Sequence, residues 1–95
     1  MKSKILHTNN IDRATYIAFK TGIIPVLIFD QGKEEYMFCF VNNEEIWQAY
    51  EQYRDITLNQ RNLVDDRDIH KFNLILGKLK KIYLISKKQR SKVAV

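Results

Sequence analysis

Apolar positions along this chain follow two rhythms, an alternation with a period of two and a spacing of three and four. The switches between them mark the elements. Residues 4–8 (Lys-Ile-Leu-His-Thr) read as a short first strand. Asn9 or Asn10 then offers a capping side chain, and a helix over Ile11–Thr21 carries a shallow apolar stripe of Ile11, Ala14 and Ala18. Gly22 follows, where glycine takes the left-handed C-terminal position at least cost. Ile23–Phe29 is apolar and β-branched and reads as a strand, with Pro25 near its start or on an edge because proline donates no ladder hydrogen bond. Asp30-Gln31-Gly32-Lys33 is turn chemistry. Tyr36–Val41 alternates Tyr36, Phe38 and Phe40 with Met37, Cys39 and Val41. Both faces are apolar, so this strand is expected at the centre of a sheet, paired with the preceding one as a hairpin.

The helical rhythm returns after Val41. Asn42-Asn43-Glu44-Glu45 opens a second helix, with Asn42 and Glu45 at capping-box spacing and acids at the positive end of the dipole. Ile46, Ala49, Tyr50 and Tyr53 form its core-facing stripe. Asp55–Asn59 is expected as a short edge strand or extended link, and residues 60–65 as polar loop. Asp65 or Asp66 caps the third helix, in which Ile69, Phe72, Leu76, Leu79 and Tyr83 recur at steps of three and four. The pattern stops at Ser86. The expected fold is α+β: a small antiparallel sheet with three helices, in the order β-α-β-β-α-(β)-α. One domain spans 1–85, and 86–95 forms a disordered basic tail. The expected core is Phe38, Phe40, Ile46, Tyr50, Phe72, Leu76 and Leu79.

Composition sharpens this picture in two places. Ninety-five residues, 45% hydrophobic and 12% aromatic, make one domain with a dense core. The single cysteine, Cys39, excludes an internal disulfide and a Cys-rich zinc site, and fits a reducing compartment. No long apolar stretch follows Met1-Lys2-Ser3-Lys4, and the longest apolar run, Ile23–Phe29, is too short to span a bilayer. These features lead to the expectation of a cytoplasmic protein without membrane contact.

Charge is distributed unevenly. Residues 67–95 hold nine Lys/Arg against the one acid Asp68, whereas residues 1–66 hold seven against ten, which together make the net +5. Lys71, Lys78 and Lys81 share a side of the third helix, with Lys80 nearby, and Lys87, Lys88, Arg90 and Lys92 follow. Several cations within a Debye length suit a polyanion or an acidic partner surface. The bland alternative is a solvated helix face with a solubilising tail. No aromatic follows Tyr83, which argues against base stacking by the tail.

Candidate chemistry is otherwise sparse. His7 and His70 are the only histidines, with no second ligand at metal-binding spacing. Glu44–Glu45 and Asp65–Asp66 sit where helix starts want caps rather than across a cleft. Cys39 with a histidine could form a nucleophile–base pair, but its strand setting reads as a buried structural thiol. The three glycines, Gly22, Gly32 and Gly77, are too dispersed to cradle a phosphate. Trp47 lies beside its helix's apolar stripe, as an interface anchor, as a stacking platform for an unpaired base, or as an edge tucked against the hairpin. No catalytic residue, metal or cofactor is expected.

Thr8, Asp12, Ala18, Phe19, Gly22, Phe38, Phe40 and Leu79-Lys80-Lys81 fall in an order that resembles a family of short uncharacterised α+β domains from bacteria, phages and mobile elements. The resemblance covers about residues 4–84 and consists of caps, core and turns. It implies a non-enzymatic module that docks on a protein or nucleoprotein target, such as an inhibitor or accessory of a host nuclease complex. The alternative expectation is a sequence-nonspecific nucleic-acid binder that uses the basic C-terminal helix and tail.

Overall fold

The computed structural model describes residues 4–58 and 64–93, with side chains through residue 90. The elements are β1 (Ile5–Thr8), α1 (Ile11–Thr21), β2 (Val26–Asp30), β3 (Glu35–Val41), α2 (Glu44–Leu58) and α3 (Ile69–Val93). The strands form one antiparallel sheet in the order β1-β3-β2. The doubly apolar β3 is central, as its pattern demands. Leu6 pairs with Phe40, and Thr8 and Leu27 flank Phe38. Leu6, Phe38 and Phe40 face the helices and join Ala14, Ile17, Ile46, Ala49 and Leu79 in one core, with Leu27 packed against it.

Side chains alternate across a strand, so the remaining positions form the opposite face. His7 and Val26 flank Cys39, Ile5 pairs with Val41, and Ile28 pairs with Met37. Met37 is buried, but Val41 is 72% exposed, Val26 63% and Ile28 51%. Among the described residues no helix covers this face.

α1 is the hub of the helical layer. Asn10 caps it, its Oδ1 accepting from the amides of Asp12 at 3.0 Å and Arg13 at 3.2 Å. Gly22 ends it in the left-handed region at φ 75°, its amide donating to the Ala18 carbonyl at 2.8 Å. Between the caps Ala14, Thr15, Tyr16, Ile17 and Ala18 are all buried. Five consecutive residues turn through more than a full revolution, so α1 is covered on every side there. The shallow stripe of alanines understated it. Thr15 hides its hydroxyl on the Ile11 carbonyl at 2.7 Å, and so behaves as an apolar residue.

Several boundaries differ from expectation. β2 begins at Val26 rather than Ile23, which leaves Pro25 ahead of the strand, and it takes in Asp30 from the expected turn. Asn43, not Asn42, caps α2: its Oδ1 accepts from the Ile46 amide at 2.9 Å. Asn42 instead extends the sheet, its amide donating to the Lys4 carbonyl at 2.9 Å. The segment expected as an edge strand from Asp55 is the end of α2, where the Thr57 hydroxyl bonds back to the Tyr53 carbonyl at 2.9 Å. Asn59 and residues 60–63 of the expected loop lie outside the described residues. At α3 the first helical bond runs from the Phe72 amide to the Asp68 carbonyl, after a turn closed by Asp68 on the Asp65 carbonyl. The start therefore falls at Asp68 rather than at Asp65 or Asp66.

The largest correction is at the other end of α3. The break expected at Ser86 is absent, and the helix continues to Val93. Tertiary contacts replace the lost apolar rhythm. The Tyr36 hydroxyl donates to the Ser86 carbonyl at 2.9 Å, and the Arg90 guanidinium lies 3.5 Å from the Phe29 ring centroid. Residues 94–95 of the expected tail lie outside the described residues. Of the expected core, Phe38, Phe40, Ile46, Phe72 and Leu79 are buried. Tyr50 is half-buried and packs against this core, and Leu76 is half-buried. Phe72 packs beside the central cluster on Phe19, centroid to centroid 6.1 Å.

Candidate functional site

α3 carries Lys71, Lys78, Lys80, Lys81, Lys87, Lys88, Arg90 and Lys92 and no acidic residue along its 25 positions. At 1.5 Å per residue this is a rod about 37 Å long. Its buried side, Phe72 and Leu79 with Tyr83 half-buried, fixes where the cations point. Lys71, Lys78, Lys81 and Lys88 fall in one row at helical spacing, with the exposed Leu74 and Ile85 between them. Lys80 and Lys87, seven apart, fall in a second row. All six lysines are exposed. The Lys71 ammonium lies 5.7 Å from the Phe19 ring centroid. Arg90 is the exception to a solvated fringe, since it stacks on Phe29. The Lys92 side chain lies outside the described residues.

Where the last turns of α3 meet the hairpin, they enclose an open groove of about 440 Å³ lined by Phe29, Glu34, Glu35, Tyr36, Tyr83, Lys87 and Arg90. Its floor is an aromatic chain. Phe29 and Tyr36 meet edge to face at 5.1 Å, and Tyr36 and Tyr83 at 5.6 Å. Lys87 and Arg90 stand on the helix wall and the two glutamates on the hairpin wall. Glu34 has a left-handed backbone, φ 54°, a conformation uncommon outside glycine. The Asn9 amide donates to the Glu35 carboxylate at 3.3 Å. The cations are visible in the sequence, whereas this groove is not. Tyr36 and Ser86 are fifty positions apart, so only the folded chain brings the hairpin aromatics to the basic end of α3.

The other candidates fall elsewhere. Trp47 is half-buried against the core and stacked on Tyr50 at 5.6 Å, with ring planes 16° apart. Arg13 covers the Tyr50 ring at 3.5 Å and donates to the Tyr50 carbonyl at 3.0 Å, which locks α1 to α2. Cys39 is half-buried rather than buried, on the uncovered sheet face, and the register sets His7 opposite it. Burial nevertheless pushes the thiol pKa up, and the Sγ lies 3.7 Å from the Met37 carbonyl oxygen as a donor. A nucleophilic cysteine needs the opposite shift. His70 is exposed at the start of α3. Among the described residues no group of three or more His, Cys, Asp or Glu side chains could hold a metal ion. No described helix is long and apolar enough to cross a membrane.

No protein-family model, curated protein or solved structure matches this chain. The functional reading therefore rests on its own geometry.

Proposed function

We propose that the chain is a non-enzymatic module that binds nucleic acid without sequence specificity, through the phosphate backbone and the basic rows of α3. One observation carries the reading: eight Lys/Arg and no carboxylate on a single continuous helix. Exposed lysines on a rigid rod meet successive phosphates with little rearrangement, and each contact releases condensed counterions. Arg90 and Lys87 extend the charged surface to the hairpin. A cytoplasmic setting, where the lone thiol stays reduced, belongs to the same proposal.

The test is affinity for duplex DNA and for RNA at two salt concentrations. The wild type is compared with a variant carrying Lys78→Gln, Lys80→Gln, Lys81→Gln, Lys87→Gln and Lys88→Gln. These side chains are exposed, so each change is expected to alter stability by no more than about 0.5 kcal/mol. Five phosphate contacts give a salt slope of about −4 to −5 on duplex DNA, and the variant is expected to lose most of it. Absence of binding at low salt would overturn the reading.

The second reading is docking on a protein target, for instance a nuclease complex. The uncovered sheet face of Ile5, Val26, Ile28 and Val41 favours it. In the same titration, absence of binding to both nucleic acids at low salt would leave this second reading standing.

A further inference from the structure

We infer that the groove between the β2–β3 hairpin and the C-terminal turns of α3 receives an unpaired nucleobase, so that single strands are preferred over duplex. This rests on the nucleic-acid reading of α3 and adds to it a site, a strand form and a base chemistry. Proteins that hold single strands combine a cationic track with aromatic platforms on which bases stack. Both are present here and adjoin. The cationic rows of α3 run into a groove of a size usual for small-ligand sites, floored by Phe29, Tyr36 and Tyr83.

The platform is preorganised. The Tyr36 ring is pinned through its hydroxyl to the Ser86 carbonyl at 2.9 Å, and its edge-to-face contacts hold Phe29 and Tyr83. Arg90 already stacks on one face of Phe29, which fixes a planar guanidinium at the groove's edge. Rings held this way lose little freedom when a base arrives.

The charges set the orientation. Lys87 and Arg90 on the helix wall suit the phosphate, whereas Glu34 and Glu35 on the hairpin wall repel it. A strand therefore runs along α3 with its base turned towards the hairpin. There a carboxylate accepts from an exocyclic amine, which cytosine, adenine and guanine carry and thymine and uracil lack. The groove thus selects an unpaired base that bears an amino group.

The experiment measures binding of fluorescein-labelled oligo(dC) and oligo(dT) of about ten nucleotides, and of a duplex of the same length, to wild type and Tyr83→Leu. Wild type is expected to bind oligo(dC) more tightly than oligo(dT) or duplex at equal salt. In Tyr83→Leu the ratio of oligo(dC) to duplex affinity is expected to fall by about fivefold or more. Tyr83 also packs on Tyr36, so a second measurement uses the wild-type protein alone. Oligo(dC) with one 5-iodocytosine is photocrosslinked, and the adduct is expected on Phe29, Tyr36 or Tyr83. An unchanged ratio, or an adduct only outside these rings, would overturn the groove while leaving the basic helix in place. Failure of all three nucleic acids to bind at low salt would overturn the underlying reading as well.

Discussion

Tyr16 is one of the largest side chains fully buried in the protein. It carries a hydroxyl, lies outside the alanine stripe of α1, and yet is only 2% exposed. Its ring meets Tyr53 of α2 at 6.0 Å, and its hydroxyl reaches the exposed Gln52 at 3.4 Å, a long hydrogen bond. Burial raises its pKa from the ordinary 10.0. The unfolded chain therefore loses this proton at lower pH than the folded one. The stabilisation is complete below pH about 10 and is lost as pH rises through the folded value. Tyr16→Phe is expected to cost under about 1 kcal/mol at neutral pH. It is also expected to lessen the fall in melting temperature above pH about 10. Thermal melts of both proteins across pH check this, and parallel alkaline losses would contradict it. Cys39, raised in the same direction by burial, adds a loss beginning at lower pH in both proteins and so cancels in the comparison.

At the scale of elements, local signals settled most boundaries, and those that failed had a close competitor. Gly22 closes α1 because glycine takes the left-handed C-terminal position adopted there at least cost. Asn42 and Asn43 both carry a capping amide, and the choice between them depends on how far β3 extends its pairing to β1, a tertiary fact. Asp55-Ile56-Thr57-Leu58 has strand-like residues, yet the threonine hydroxyl serves the helix equally well. α3 outlasts its own apolar rhythm because the hairpin supplies partners for Ser86 and Arg90. Within α3, Gly77 is exposed, and a methyl group there would meet nothing within 4 Å. Gly77→Ala is accordingly expected to stabilise the protein by about 0.5–1 kcal/mol. That corresponds to a rise of a few degrees, about 2–8 °C, in the melting temperature followed by circular dichroism. A lower melting temperature would contradict an unbroken helix through this position.

For the molecule as a whole, the α+β class, the central β3 and the three helices were legible, because periodicity reports which residues face a core. The basic rows of the candidate site were legible too, since charge needs no partner to be counted. Illegible were the one-sided covering of the sheet and the aromatic groove, both of which join segments far apart in sequence. The strand order carries a consequence for time rather than for energy. β2 and β3 are joined by residues 31–34 alone, whereas β1 must wait until the whole of α1 and the hairpin exist before it meets β3. Short loops close sooner than long ones. During folding the hairpin therefore presents an open β3 edge until Ile5–Thr8 arrives. In pulse-labelled hydrogen exchange, amides bonded between β2 and β3 are expected to gain protection before those shared with β1. Simultaneous protection would refute this order. In a concentrated solution of refolding chains, the first β1 to reach that waiting edge can belong to a neighbour, and this is how such a domain would exchange strands.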